Sequence, residues 1–542
     1  MQKFKVTFLP DHLTITAEKD SSILTAAISA GIYLNSNCAG DGTCGGCKVI
    51  VNQGQVKSQP NGIITAQEKK NNLYLACLTA IQSDLEILIP DSSRMDKDIQ
   101  TDNLGGDATI EPGDTLGKNF GLCFDIGTTT ISGQLVNLNS KKILGTKTAY
   151  NRQAAFGSDV ITRIVYAAKT GGLEKLHNAL SGTMNQIIRE LVSEHKVDLN
   201  AVNCIVCSGN TTMMHLLLSL DPAHIRRQPY VPPANFPSVL RAAEAGIQIS
   251  PQGLLSCVPG VSGYLGGDAI AGVLSSGIYQ KEETCILIDI GTNGEIVLGN
   301  RDFLVACAGS AGPAFEGSGV TSGMRASSGA IQKVSINKND FSVKYSTIQD
   351  KIPRGICGSG YIDLLSEMLT SGIIDKSGKI KVTGKRIRSS DNGREFVVCF
   401  KEEIRAQADI VINEADIENL KRSKGAIYSA CAILVKHLAL EFSAISKIFI
   451  AGGFGTYLDI EKAIRIGLLP DLERSKFIFI GNSSLAGSRE ILLSSQAQAM
   501  AEALALKITY FELSMDSDYM EEYSQALFFP HTDLTKFPTV KF

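Results

Sequence analysis

Four cysteines carry the first chemical pattern in the sequence. Cys38, Cys44 and Cys47 stand as C-x5-C-x2-C within NCAGDGTCGGCKV, and Cys77 follows 30 positions after the third, in LACLT. Three thiolates on one loop, completed by a fourth from elsewhere, form the all-cysteine ligand set of an iron–sulfur cluster. Gly40, Gly42, Gly45 and Gly46 lie among these ligands. Lacking a Cβ, they let backbone amides approach sulfide closely. A structural zinc site is the alternative, but zinc loops usually come as two separated C-x2–4-C pairs. The remaining cysteines show no second spacing of this kind; Cys204 and Cys207, in the apolar run CIVC, read as small hydrophobes on a buried strand.

A second pattern occurs twice. Asp125-Ile-Gly-Thr-Thr-Thr and Asp289-Ile-Gly-Thr-Asn-Gly-Glu, about 160 residues apart, each close a β run and open a hairpin. A phosphate needs backbone amides unobstructed by side chains, and its magnesium needs a carboxylate on a rigid element nearby. Asp125 and Asp289 offer the carboxylates, Gly127 and Gly291 the tight turn, and Thr128, Thr129, Thr292 and Asn293 the donors. Phe449-Ile-Ala-Gly-Gly-Phe-Gly455 is an apolar strand running into Gly452, Gly453 and Gly455, which suits backbone contact with an adenine and its ribose. The expected ligand is ATP with Mg2+. Glu316, at the end of Ser310-Ala-Gly-Pro-Ala-Phe-Glu316, reads either as an acid in contact with that ligand or as a carboxylate at a helix N-terminus.

The elements that must hold these groups fall into four spans. Residues 1–90 read as an α+β domain, with strands Lys3–Leu9, Leu13–Ala17, Cys47–Gln53 and Leu85–Ile89 around one helix, Ser22–Ala30. Residues 91–118 lose hydrophobic periodicity and gain Asp, Gly, Ser and Pro, so they read as a flexible linker. From 119 to 283 strands alternate with helices: Gly121–Asp125, Ile131–Asn137, a helix over Asp159–Thr170, another over Leu173–Lys196, and the strand Ala201–Cys207. A second series occupies 284–542 and includes the strand Lys447–Ala451. The repeated D-x-G-T signature implies an internally duplicated α/β domain with the ligand between its halves.

Bulk properties bound the function. A length of 542 residues asks for more than one core. Net charge is −3, with 44% hydrophobic and 20% charged residues, which gives no electrostatic basis for nucleic-acid binding. No signal peptide and no run of eighteen or more apolar residues stands in the sequence, and an odd 13 cysteines argue against a disulfide framework. These features lead us to expect a cytoplasmic protein with no membrane partner.

The C-x5-C-x2-C spacing is similar to that of adrenodoxin-like ferredoxins and of the ferredoxin domains of corrinoid activators, implying a 2Fe–2S cluster in a β-grasp fold. Taken in order, the two D-x-G-T turns and the AGGFG strand resemble the phosphate and adenosine motifs of the actin, heat-shock ATPase and sugar-kinase superfamily, with ribonuclease H-like lobes. The helix Gly267-Asp-Ala-Ile-Ala-Gly-Val resembles the carboxylate-bearing helix ahead of the second phosphate motif, which makes Asp268 the candidate for holding metal-bound or attacking water. Ser208-Gly-Asn-Thr-Thr-Met, Ser310–Glu316 and Gly355-Ile-Cys-Gly-Ser-Gly360 resemble further motifs of the reductive activators of corrinoid proteins, although the last read alone is an ordinary loop. The span 91–118 leaves no room for the extra domain that some family members carry there.

This resemblance implies ATP-dependent one-electron transfer from the cluster to a corrinoid protein of a methyltransferase system, returning Co(II) to Co(I). A plant-type cluster lies near about −400 mV, and each 100 mV uphill costs about 2.3 kcal/mol per electron. ATP, by changing lobe closure, can offset that cost. A low-potential donor would refill the cluster, and the resemblance implies a homodimer through the ATPase domain. Two rival readings stand: a small-molecule kinase with an iron–sulfur redox sensor, and an electron carrier with a regulatory ATP-binding domain.

Overall fold

The computed structural model describes residues 2–36, 38, 40–94, 119–390, 392–404, 408–452 and 458–541. In the first domain the strands β1 (Lys3–Leu9), β2 (Leu13–Glu18), β3 (Lys48–Gln53), β4 (Leu73–Leu75) and β5 (Leu85–Leu88) form one sheet in the order β2-β1-β5-β3-β4. Only β1 and β5 run parallel. Alternate residues Val6 and Phe8 of β1, Val49 and Val51 of β3 and Leu85 and Ile87 of β5 are buried. Helix α1 (Ile23–Ser29) covers that face with Leu24 and Ala27, and the Ser22 hydroxyl caps its first turn by accepting from the Thr25 amide. The cysteine loop lies between α1 and β3. Residues 91–94, assigned above to the linker, belong to this domain instead. Leu34 bridges Arg94, the Arg94 guanidinium clasps Asp11, and Ser93 is buried. Polar composition hid this because the contacts are made with residues some sixty and eighty positions away. The rest of the expected linker, 95–118, lies outside the described residues.

The two lobes repeat one topology. In the first, β6 (Phe120–Ile126), β7 (Thr130–Asn137) and β8 (Ile143–Tyr150) form an antiparallel meander, and β9 (Val202–Gly209) and β10 (Leu254–Cys257) extend it parallel to β6, in the order β8-β7-β6-β9-β10. In the second, β11 (Cys285–Ile290), β12 (Gly294–Gly299) and β13 (Leu304–Gly309) make the same meander, and β14 (Lys447–Ala451) and β15 (Phe477–Gly481) extend it parallel to β11. The duplicated architecture expected from the repeated turns is therefore present. Among the described residues no helix is long and apolar enough to cross a membrane.

Helices cover both faces of each sheet, and this explains why the central strands are nearly continuous apolar runs. Along β11, Ile286, Ile288 and Ile290 point into one core while Cys285 and Leu287 point into another. The outer layers are α2 (Val160–Ala167) and α3 (Gly172–Glu194) on the first lobe and α5 (Gly358–Thr370) and α6 (Glu414–His437) on the second. Between the lobes lie α4 (Gly267–Ser276) and α7 (Ser483–Leu493). Their backbones approach so closely that a Cβ on Gly487 would sit 2.1 Å from the Ala271 carbonyl oxygen, and Ser275 donates to the Ser483 carbonyl at 2.9 Å. Gly487→Ala should therefore force the inter-lobe helices apart. We expect a loss of about 1–3 kcal/mol, seen by calorimetry as a lower midpoint for the ATPase part with the iron–sulfur absorption retained; an unchanged midpoint would show that the helices part freely.

Candidate functional site

The four expected cluster ligands converge, and they do so in pairs. The Cys47 and Cys77 sulfurs lie 3.4 Å apart, and the Cys38 and Cys44 thiols are hydrogen-bonded to each other. Among the described residues no three such ligands surround a single point closely enough for one metal ion. Two pairs side by side fit a two-iron cluster and not a single zinc. The crowding shows in the acidities: Cys77 draws Cys47 down to about 7, while Cys47 and then burial push Cys77 far above the usual thiol range. Cys47 is buried and Cys44 is exposed, so the loop presents one ligand edge to solvent. Two of the loop glycines also have a packing role. Gly42 has φ +76°, and a Cβ there would lie 2.4 Å from Leu78 Cδ1, while a Cβ on Gly46 would lie 2.3 Å from the Asn35 carbonyl oxygen. Both are required by the protein's own packing around the loop.

The second site lies at the carboxyl ends of the parallel strands, where ligands collect in open α/β sheets. Asp125 and Asp289 occupy equivalent positions near the ends of β6 and β11, paired with Ser208 and Ala451 on the neighbouring parallel strands. Each turn closes on itself: Gly127 N–H donates to Thr130 O and Gly291 N–H to Asn293 O, both at 2.9 Å, so the first turn is one residue longer. The two turns face one cavity of about 240 Å³ that Asp125, Gly127, Thr128, Thr129, Asp268, Asp289, Gly291, Thr292, Asn293, Glu316 and Gly452 all line. Gly452 has φ +107°, and a Cβ there would meet the Ile290 carbonyl oxygen at 2.5 Å. Gly453 and Gly455 lie outside the described residues.

Glu316 joins the two turns. Its carboxylate accepts from Thr129 Oγ1 and from Thr292 Oγ1, each at 2.8 Å, and Arg325 stands 3.7 Å away. Arg325 also donates to the Thr129 carbonyl at 3.3 Å and lies 4.6 Å over the Tyr150 ring, so it spans the lobes. Of the two readings left open for Glu316, contact with the ligand site is the one the geometry supports. Gly358 at the start of α5 lines the same cavity, so the Gly355–Gly360 segment is more than an ordinary loop.

Five carboxylates border this cavity: Asp125, Asp268, Asp289, Glu295 and Glu316, against one cationic side chain, Arg325, among the described lining residues. Burial, then mutual repulsion, pushes Asp289 up to about 7; Asp268 also reaches about 7, burial first and Asp125 after it. Burial likewise raises Asp125, against hydrogen bonds from Asn482 Nδ2 and Ser484 Oγ at 2.8 Å each. Such a group of acids is matched to a cation.

Several residues here were missed in the sequence. Glu295 sits opposite Asp289 in the β11–β12 register and was quoted above only as the tail of a motif. Asn482 caps α7 and Ser484 follows it, so a strand, an Asn and a helix start were the available signal. Asn210 caps the helix Thr211–Leu217 and donates to Thr128 Oγ1 at 3.1 Å. Nothing local marks Arg325.

Known proteins resemble the chain along its whole length. Residues 283–541 match the model of the C-terminal domain of RACo, the ASKHA domain, residues 120–281 that of the RACo middle region, and residues 6–82 that of the 2Fe-2S iron-sulfur cluster binding domain. The corrinoid activation enzyme RamQ of Eubacterium limosum is 33% identical over 421 residues, 76% of this chain and 70% of that protein. The Co(II) methylated amine-specific corrinoid protein reductase of Methanosarcina barkeri is 26% identical over 425 residues, 73% of this chain and 74% of that one. A solved structure of a reductive activator for corrinoid, iron-sulfur protein is 40% identical, with a TM-score of 0.76, and the match covers 99% of this chain and 100% of the other. With paired thiols in its first domain and twin D-x-G-T turns facing one cavity between its lobes, the chain belongs to the RACo family of reductive activators.

Proposed function

We propose that this chain is an ATP-dependent reductive activator that passes one electron to a corrinoid protein, converting Co(II) to Co(I). The observation that carries this reading is the presence, in one chain, of two thiol pairs suited to a two-iron centre and a two-lobed phosphate cavity. When bound at Cys38, Cys44, Cys47 and Cys77, a 2Fe–2S cluster supplies a centre that accepts and donates one electron at a time. The exposed edge at Cys44 gives a partner access to that centre. A low-potential cellular donor restores the electron that the corrinoid takes, so each reduction leaves the chain ready for the next.

In the ATPase part, the turn amides and the hydroxyls of Thr128, Thr129 and Thr292 hold phosphates, and Asn293 adds a donor. Asp125 and Asp289, from opposite lobes, would hold Mg2+, which would neutralise phosphate charge. Asp268, with its acidity near neutrality, takes a proton from the water that attacks the γ-phosphorus as ADP leaves. Glu316 and Arg325 respond to the new phosphate charge because each already contacts both lobes. Two copies associate through the ATPase part, where Leu506 and Met515 are each 77% exposed and Met520 62%. Reduced thiols of this kind fit a cytoplasmic site.

Reduced holoprotein mixed with a Co(II) corrinoid protein should generate the Co(I) absorption faster with Mg-ATP than without, and free phosphate should appear. Equal rates with and without nucleotide would favour a plain electron carrier, and a phosphorylated small molecule would favour a kinase.

Cys44→Ala should remove the visible iron–sulfur spectrum and spare ATP hydrolysis, whereas Asp289→Ala should do the reverse. Loss of both properties in either variant, measured by absorption and phosphate release, would point to misfolding and not to separate sites.

The raised acidity constants also set a pH dependence. An acid raised from 3.8 to about 7 holds in the folded chain a proton that the unfolded chain has released, so its contribution to stability falls as pH rises from about 4 to about 7 and stays low above that. Asp289→Asn should therefore be more stable than the parent at pH 8, by on the order of 2 kcal/mol. That gain should shrink toward pH 5 in denaturant titrations without divalent cations; a gain independent of pH would rule out this charge repulsion as its cause.

A further inference from the structure

Among the described residues the first domain contacts the ATPase through Tyr33 and Ser36. The Arg152 guanidinium lies 4.9 Å over the Tyr33 ring, and the Ser36 hydroxyl reaches the Ala155 carbonyl at 3.5 Å. Tyr33 and Ser36 stand five and two positions before Cys38, so this contact is made by the strap that enters the cysteine loop. On the ATPase side, residues 152–155 form a single 3-10 turn capped by Asn151.

That turn is bound to the backbone of the first phosphate turn. Asn151 Nδ2 donates to the Gly127 carbonyl and the Asn151 amide to the Thr129 carbonyl, both at 2.9 Å. The carbonyl between them, Thr128, accepts from Arg163, which is wholly buried and also donates to Gln153 Oε1 at 3.1 Å and to the Gly157 carbonyl at 2.9 Å. Three successive carbonyls of the phosphate turn are thus held, two by Asn151 of the segment that seats the first domain and one by Arg163, which is bonded to that segment in turn. A carbonyl that accepts a hydrogen bond polarises its peptide, which strengthens the amide N–H on the other side as a donor. Those amides belong to Thr128, Thr129 and Thr130, three residues that line the cavity.

We propose that residues 151–157 form a nucleotide-coupled seat for the iron–sulfur domain: phosphate on the Gly127–Thr130 turn and docking of Tyr33 and Ser36 on the seat reinforce each other. The inference rests on the reading of that turn as a phosphate site. Asparagine and arginine are positioning residues here, since they act through the turn. Docking covers the strap ahead of Cys38 and leaves Cys44 exposed, so the seated domain still offers an edge to a corrinoid partner.

Coupling between two sites is reciprocal, and the test uses this on the full-length reconstituted protein. Tryptic cleavage between residues 94 and 119, which contain Lys97 and Lys118, reports release of the first domain, and calorimetry reports Mg-ATP affinity. In the parent, Mg-ATP should slow cleavage by about fivefold, the low end of typical couplings. Arg152→Ala combined with Tyr33→Leu should abolish that protection and weaken Mg-ATP binding by the same factor, with an unchanged iron–sulfur spectrum. Tyr33→Phe, which keeps the ring face, should retain both effects. Equal protection by Mg-ATP in the double variant and the parent, or equal affinity, would overturn the seat. Failure of the unmodified protein to bind Mg-ATP would overturn the phosphate-turn reading, and the coupling with it.

Discussion

Carboxylates repel one another most where water is scarce, and the ATPase half of this chain is organised around such a place. Asp125 comes from one sheet, Asp289 and Glu295 from the other, Asp268 from a helix between them and Glu316 from a 3-10 turn. None of the elements that carry these acids can withdraw, because each is fixed in an apolar core. The repulsion is therefore held as raised acidity and not relieved by movement. A cavity so arranged favours divalent metal and a phosphate chain over either alone, since metal neutralises the acids and phosphate brings further ligands to the metal. Whatever fills it also changes the force between the lobes.

The two lobes share a topology but do not share the work equally. Ser208 stands beside Asp125 in the first lobe where Ala451 stands beside Asp289 in the second. Ser132 faces Asp125 across the hairpin where Glu295 faces Asp289. The first lobe's acid is held by hydroxyl and amide donors; the second's is crowded by further acids. Ser208 is also part of a buried chain of hydroxyls, Ser484 to Ser208 to Ser488, each step 2.7 Å, that fastens α7 to β9. Because Ser484 donates to Asp125 as well, the fastening between lobes and the solvation of one cavity acid are a single hydrogen-bonded unit.

What could be read in the sequence follows from the range of the interactions involved. The cysteine spacing, the D-x-G-T turns and the strands that lead into them are local, and periodicity with glycine placement displays them directly. Asp268 and Glu316 were reached through motif resemblance, and the structure brings both to the cavity. Asn482 and Ser484 act on an aspartate more than 350 positions away, and Arg325 spans nearly 200 to reach Thr129. In a single sequence such residues look like ordinary loop and cap residues, because their meaning comes only from the way the lobes close. Residues 91–94 were misassigned for the same reason: their composition is that of a linker, and their partners lie at Asp11 and Leu34.

A chain that holds an electron site and a nucleotide site gains nothing from having both unless one changes the other. The change need not be large. A coupling of about 1 kcal/mol is already a several-fold shift in population, and it is about the net worth of one protein hydrogen bond. Asn151 makes two such bonds to the phosphate turn and Arg163, itself bonded to Gln153 and Gly157, makes a third, all to main-chain carbonyls of residues that line the cavity. A rotation of those peptides toward a phosphate alters every one of them. Among the described residues Arg163 hydrogen-bonds to no carboxylate; burial depresses its acidity constant to about 9, and its donors end on neutral carbonyl, amide and thioether acceptors. Retaining a cation at that desolvation cost makes physical sense where its charge lies just behind a turn proposed to receive phosphate. The same placement explains why arginine and not lysine occupies the site: one planar guanidinium meets four acceptors at once, which a single ammonium on a flexible stem does less well.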